Sequence, residues 1–554
     1  MIFCRDGVSH QATQSSPSAP KPEERNCLVW LHCEGTEKIL RKRLFEREKE
    51  RLSSPPVSFP IRMLDSSFSP IMNQPAGVPM SLVCRGRLAG VLIVGLICIS
   101  CGDVYRPTII PNPVPTPDPK SFHAVIAVNQ NTSFNPGTGM QMDVAGDSNA
   151  GVTKVEMGPV HAAVIGPRVY VANSISNSVS VFTQASSTVA GSIGSSTDIN
   201  LPPGFSPTFL HSTESATMYV ATATSPDPNT AAGQVDVITT SNNVVTTTIP
   251  VGINPMAMAE TPDGKELYVV NRHDGNVTHI HTVDKSTEPA SIPVGASPSL
   301  AYARADNQKI FVLNQGSGTI TTINAAAAGA GLEDTIAGTV NADGGADYMI
   351  YDSRRNRLYV TSSMGSLFVY DATPSAPVLL KQIAIPGAGD CAQCVPVSVA
   401  VLPDGTRVYV GSAFETADTT KCSQIVGGPA VNCYLTQVTV IDADNLTLRS
   451  GSATAPNPFP VPTPTATVLA GAPVLAQAGC ATTRFRLSIA AASDSSRVFL
   501  SACDAGGVST IRTSDDTYVV TLPTPVSAFP PIQTDPNVPP QPPRQNPVFL
   551  LSGQ

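Results

Sequence analysis

The chain has 554 residues, with 34 Lys and Arg against 42 Asp and Glu, a formal net charge of −8 at pH 7 and 5% aromatic residues. A chain this acidic has no general attraction for phosphate backbones, so no nucleic-acid partner is expected. Gly and Pro number 41 and 51; with abundant Thr, Val and Ser and few helix formers, they predict many short strands joined by turns.

Residues 1–79 carry the only tryptophan, Trp30, and 11 of the 34 Lys and Arg residues, in a style unlike anything downstream. From Met80 the pattern changes. Arg85 and Arg87 precede an apolar run of 13 residues, Leu88 to Ser100, that ends at Cys101. That run is shorter than the roughly 20 residues needed to span a bilayer as a helix, and it has the length of a signal-peptide core. Its ending, "CISCGD", resembles a bacterial lipobox, with Cys98 where Leu is usual. The resemblance implies lipidation of Cys101, with 80–100 as the signal peptide. Because a signal peptide acts from the N-terminus, residues 1–79 are expected to be a start-site error or disordered, a cytoplasmic tail being the alternative. Gly102 follows the cysteine where some bacteria use aspartate for inner-membrane retention, which points to the outer membrane or periplasm. Residues 101–120, "CGDVYRPTIIPNPVPTPDPK", form a Pro-rich tether. Without residues 1–100 the net charge becomes about −12.

Over 121–554 one strand recurs: "AVIAVNQ", "RVYVANS", "TMYVATA", "ELYVVNR", "KIFVLNQ", "RLYVTSS", "RVYVGSA" and "RVFLSAC". Its second apolar residue is Ile126, Tyr170, Tyr219, Tyr268, Phe311, Tyr359, Tyr409 and Phe499, at gaps of 44, 49, 49, 43, 48, 50 and 90. Each unit runs from a strand after Pro, through a turn such as Asp263-Gly264, to the recurring strand. An alternating strand and a last one ending in "IPVG" follow. Four short antiparallel strands per unit predict an all-β propeller, because blades stacked about an axis cover each other's faces. Eight recurring strands favour eight blades, seven being the alternative. The first unit lacks its opening strand, and the C-terminal "RQNPVFLLSGQ" has the Asn-Pro and apolar alternation to supply it and close the ring. Insertions are expected at 412–435 and 454–480, and a Pro-rich strap at 522–545.

The stretches "PDGKELYVVNRHDGNV" and "PDGTRVYVGSAF", with closing "IPVG" and opening "NP", resemble the YVTN-type β-propeller repeat family over roughly residues 120–525. The resemblance implies a surface or secreted role, since relatives include surface-layer proteins. Some similar propellers are lactonases.

Six cysteines follow Cys101: Cys391, Cys394, Cys422, Cys433, Cys480 and Cys503. An even count in an exported chain reads as disulfides, with Cys422–Cys433 and Cys480–Cys503 suggested by proximity. That leaves Cys391 and Cys394 for a structural loop disulfide, rather than a redox or metal-binding pair. Propellers bind at the channel mouth, where the units open: residues 158–161, 205–207, 253–255, 296–298, 345–347, 394–396, 483–486 and 546–547. The polar groups there are His161, Asn254, Asp347, Arg484 and Arg486, and the two arginines suggest an anionic ligand. His273, His279 and His281 fall in one stretch, and His279 and His281 alternate in a strand at metal-compatible spacing, but His279 fills the slot of Val440 in "VTVID" and is expected to be a strand-buried or edge histidine rather than a ligand. Asp343 and Asp347 in "NADGGAD" have the oxygens for calcium but read as a turn. No metal or cofactor is therefore expected, and no nucleotide-binding or nucleophile-elbow motif occurs. The expected role is a monomeric envelope-anchored binding module for an envelope protein, polymer or small anionic ligand. A lactonase-type hydrolase and a purely structural spacer are the alternatives.

Overall fold

The computed structural model describes residues 124–552 except 144–147, 186–192, 214–215, 326–330, 419–432, 452–456, 461–473, 476–479, 481–485 and 529–542. They lie in the second of two compact units, Arg106–Gln554. Signal peptide, tether and Cys101 fall outside the described residues.

Among the described residues there are eight sheets of antiparallel strands, seven of four strands and one of six, and no α-helix. No helix there is long and apolar enough to cross a membrane. The innermost strands of blades 2 to 8 are Pro159–Ile165, Phe205–His211, Pro255–Glu260, Pro298–Ala303, Ala346–Asp352, Val395–Val401 and Leu487–Ala491. Each packs on the next round the channel. Blade 1 is closed as the sequence predicts: Asn546–Ser552 pairs antiparallel with Ala124–Gln130, and the ring has eight blades. The channel-mouth segments named from the sequence, so far as they are described, stand at the starts of these eight strands.

The recurring strand is the second of each blade, and two of its features explain the repeat. Its large side chain fills the seam with the following blade. Tyr268 packs among Ile310, Val312 and Ile323 of blade 5, Phe311 among Met349, Leu358 and Tyr370 of blade 6, and Phe499 against Val125, Met140 and Leu550 of blade 1. Eight apolar clusters occupy eight seams, and Ile126 or an aromatic ring from the second strand stands in each, at most 2% exposed. The closing Asn ties the hairpin to the third strand: Asn271 Nδ2 donates to Asn276 Oδ1 at 2.8 Å and Thr278 Oγ1 at 2.9 Å. Asn173 and Asn314 repeat the arrangement. At the other end, Gly264 and Gly405 adopt φ of 70° and 74° in the "PDG" turns, backbone that a Cβ disfavours.

Blade 7 departs from this plan. Its second and third strands, Arg407–Thr416 and Cys433–Asp442, run to ten residues and pair as far as Thr416 with Cys433, beyond the mouth end of the inner strand. Two short strands from the second insertion, Phe459–Pro460 and Val474–Leu475, add to the edge of Cys433–Asp442. The strap begins with Thr524 to Ala528, which turns back on Pro543 to Gln545: Ser527 N donates to the Pro543 carbonyl and Gln545 N to that of Pro525, both at 2.8 Å.

Phe311→Ala is expected to cost about 3–5 kcal/mol, since it empties a seam. Phe134→Ala, at a residue 88% exposed, should stay within about 0.5 kcal/mol. Urea unfolding of the two variants measures the difference, and equal effects would show that the seams do not carry the fold.

Candidate functional site

The mouth carries a cavity of about 540 Å³ between blades 6, 7 and 8. Val395, Val397, Ala413, Phe414, Leu487 and Ala502 form its apolar wall, with Asp347, Glu415, Tyr434, Arg486 and Asp504 as its charged and aromatic groups. Two of the five sequence-chosen residues, Asp347 and Arg486, therefore come together.

Arg486 is positioned from three sides. Its Nη2 and Nε donate to Asp504 Oδ2 at 2.9 and 3.3 Å, and Nη1 lies 3.7 Å from Glu415 Oε2. The guanidinium sits over the Tyr434 ring, 4.1 Å from its centroid, a cation–π contact. The Tyr434 hydroxyl donates to Glu415 Oε2. Burial first, then Glu415, pushes the Tyr434 phenol far above its usual range, so it stays a neutral donor. Asp504 is 1% exposed and belongs to a short 3₁₀ turn, Cys503–Ala505. The described charged groups of the cavity are thus one guanidinium and three carboxylates, two of them beside it.

Asp347 lies on the far side, on the inner strand of blade 6. Gln315 Nε2 donates to its Oδ1, and Arg272 Nη1 donates to Gln315 Oε1 at 3.0 Å. Burial raises the Asp347 carboxyl above its ordinary value, against the pull of Gln315 and Arg272. Arg272 and Gln315 each follow the closing Asn of a recurring strand, so a polar line crosses blades 4 to 6 and reaches the cavity.

The remaining candidates lie elsewhere. His161 is packed between Phe209 and Phe549, ring centroids 4.1 and 4.3 Å away, and its Nδ1 accepts from Leu210 N at 3.3 Å. It borders a separate channel cavity of about 260 Å³ with His211, Glu260, Tyr302 and Tyr348. There burial pulls the His211 imidazole down to about 4. Asn254, at φ 58°, holds the turn into blade 4 and donates from Nδ2 to Asn229 Oδ1 at 2.9 Å. Arg484 lies outside the described residues. Asp343 serves its turn, accepting from Gly345 N and Ser362 Oγ at 2.8 and 2.7 Å, apart from the Gln315 contact of Asp347. His279 is fully buried in its strand, as the sequence predicts.

Two disulfides brace the cavity. Cys391–Cys394 is buried against Leu435, with Phe414 packed beside it, behind the blade 7 hairpin. Cys480–Cys503 anchors the residue before Asp504. Cys433 is also disulfide-bonded, and its expected partner Cys422 lies outside the described residues. Sequence reasoning missed Glu415, Tyr434 and Asp504. The first two lie within the segment read as an insertion, and the pairing of their hairpin was the signal that could have placed them.

No family model matches the chain, and no curated protein matches it. Among solved structures, apo AztD from Citrobacter koseri is similar at TM-score 0.46 and 10% identity, covering 78% of this chain and 99% of that one. A candidate 6-phosphogluconolactonase from Bacteroides fragilis gives TM-score 0.43 and 12% identity, covering 79% and 100%. Another from Bacteroides uniformis gives 0.42 and 11%, covering 59% and 95%. Likeness at this level says nothing about the chemistry of the chain; its fold is that of a β-propeller with eight blades.

Proposed function

We propose that the chain is a YVTN-type propeller, lipid-anchored in the bacterial cell envelope, that binds a small molecule at its channel mouth. The carrying observation is the cavity of about 540 Å³, with one continuous apolar wall and a few convergent polar groups. Family membership is supported by the "PDG" turns, the buried aromatic seams and the Asn-tied hairpins. The lipid anchor is supported by the "CISCGD" ending of the apolar run.

The described polar groups favour a ligand with an apolar body and a cationic group over the anion expected from Arg484 and Arg486. Arg486 already donates to Asp504 and approaches Glu415, and the carboxylates around the cavity outnumber it. A lactonase site built from the mouth residues would need His161, Asp347 and Arg484 at one small molecule, and His161 and Asp347 border different cavities. A pure spacer has no use for a braced cavity.

Expressed from its written start in a bacterial host, the chain should be recovered from membranes with an intact mass beginning at diacylated Cys101, lost in Cys101→Ser. A soluble product that keeps residues 1–79 would overturn the anchor.

Ligand-observed NMR with a panel of hydrophobic amines and matched carboxylates tests the cavity. Amines should bind, and Val397→Trp, which fills the cavity, should weaken them at least about tenfold, near 1.4 kcal/mol. Binding only by carboxylates, or amine binding indifferent to Val397→Trp, would overturn the reading.

Amine affinity should also rise with pH above the ordinary carboxylate value of about 4. Burial holds the folded Asp347 carboxyl above that value, and only its ionised form attracts an ammonium. Arg272 acts on it through Gln315, while Glu415, Arg486 and Asp504 face it across the cavity. Asp347→Asn should flatten the rise, and an unchanged slope would take Asp347 out of the site.

A further inference from the structure

At the end of blade 4 away from the mouth, Glu266 opens the second strand and His281 closes the third. They pair across the hairpin, as do Tyr268 and His279, so all four side chains stand on one face. Tyr268 packs against blade 5, which identifies that face as the one turned to the next blade. Blade 5 sends Asp334 to the same place, from the connection between Thr319–Asn324 and Ile336–Asn341. Glu288 arrives from the loop that follows His281.

These groups form one line of contacts. Asp334 Oδ2 lies 2.9 Å from His279 Nδ1, and His279 Nε2 lies 2.9 Å from Glu266 Oε2. The same glutamate oxygen is 2.8 Å from His281 Nδ1, and His281 Nε2 is 2.8 Å from Glu288 Oε1. His279 is stacked on Tyr268 at 4.3 Å with 7° between the planes, which fixes the orientation of its ring. Glu266, His279 and His281 offer ligand atoms that all lie within 4.8 Å of one another.

The placement of the outer carboxylates distinguishes this cluster from a simple salt-bridge network. Each imidazole turns one nitrogen inward to Glu266 and has the other held by a carboxylate. Metal-bound histidines are oriented in this way, with the outer hydrogen bond fixing the tautomer and raising ligand basicity. As a salt-bridge network alone, three carboxylates would exceed two imidazoles by a negative charge even with both rings protonated. Two histidine nitrogens and one carboxylate are a three-ligand set of the zinc type, with the fourth position open. A cavity of about 300 Å³ bordered by Glu288, Glu333 and Asp334 adjoins the cluster, and the His281 side chain is 30% exposed.

We propose that Glu266, His279 and His281 bind one Zn²⁺ ion at the seam of blades 4 and 5, with Asp334 and Glu288 as positioning residues. The ion joins the blade 4 hairpin to the side chain that blade 5 contributes. It is independent of the mouth cavity, since no residue is shared between them.

The test titrates chelator-stripped full-length protein with ZnCl₂ by calorimetry, beside His281→Gln and Glu288→Gln. Wild type should take up one equivalent more than His281→Gln, a comparison that cancels zinc held anywhere else in the chain. Glu288→Gln should keep that equivalent with affinity lowered about 10–100-fold. With Co²⁺ as the probe, the spectrum of wild type minus His281→Gln should show visible bands of a four-coordinate nitrogen and oxygen site without thiolate charge transfer. Equal zinc stoichiometry in wild type and a folded His281→Gln, or a flat Co²⁺ difference spectrum, overturns the proposal. If His281→Gln fails to fold, Glu288→Gln decides: zinc affinity equal to wild type overturns it.

Discussion

One large side chain per blade, placed on the second strand and turned into the seam with the following blade, is the contact on which the molecule depends. A four-stranded sheet has two faces and too little of its own mass to cover either. Tyr170, Tyr219, Tyr268, Phe311, Tyr359, Tyr409 and Phe499, with Ile126 in blade 1, each fill one seam. A seam exists only if a next blade exists, so the arrangement is satisfied only by closure. Asn546–Ser552 makes that possible by giving blade 1 its inner strand, which buries Val548 and Leu550 and leaves Ala124–Gln130 without an open edge.

Closure frees the loops from structural work at the mouth, and the mouth is where the regular plan is broken. The blade 7 hairpin extends past the inner strand, and Phe414, Glu415 and Tyr434 from that extension wall the cavity. A two-stranded extension alone is marginal in water. Here the buried Cys391–Cys394 pair and Leu435 support it from behind, while short strands from the second insertion line its edge. Asp504 is fixed by the disulfide at Cys503 and by Arg486. The described disulfide cysteines, read from the sequence as structural, are concentrated at the part of the ring that most needs bracing.

The ring was legible because a repeat exposes its own constraints. The aromatic position, the closing Asn and the "PDG" turn each recur for a local physical reason, and the count of recurring strands fixes the blade number. The starts of the inner strands were likewise legible, and two residues named there, Asp347 and Arg486, line one cavity. Asn254 has a local reason for its identity: at φ 58° an Asn suits the backbone, and its side chain holds Asn229. His161 stands apart from Asp347 and Arg486 because it packs between Phe209 and Phe549, from blades 3 and 1, and the latter lies almost 400 residues away in the chain. Glu415 and Tyr434 were hidden by the irregularity that makes their hairpin useful. Residues unique to one blade have no sister positions to betray their role.

His279 shows the opposite case, a departure at a position that does have sister positions. In the third strand, the residue paired with the seam side chain is Val181, Val237, Val369 and Val440 in blades 2, 3, 6 and 7, Thr322 and Thr510 in blades 5 and 8, and Gln141 in blade 1. Blade 4 has His279 there, fully buried. Burying an imidazole in an apolar slot costs stability unless both nitrogens are satisfied. The chain supplies both partners, Glu266 from the neighbouring strand and Asp334 from the next blade, and adds His281 and Glu288 to the same line. A valine would hold this seam with none of them. Glu266 and Asp334 satisfy both nitrogens of the buried ring, while His281 and Glu288 extend the line further than burying His279 requires, and the proposed cation would use that extension.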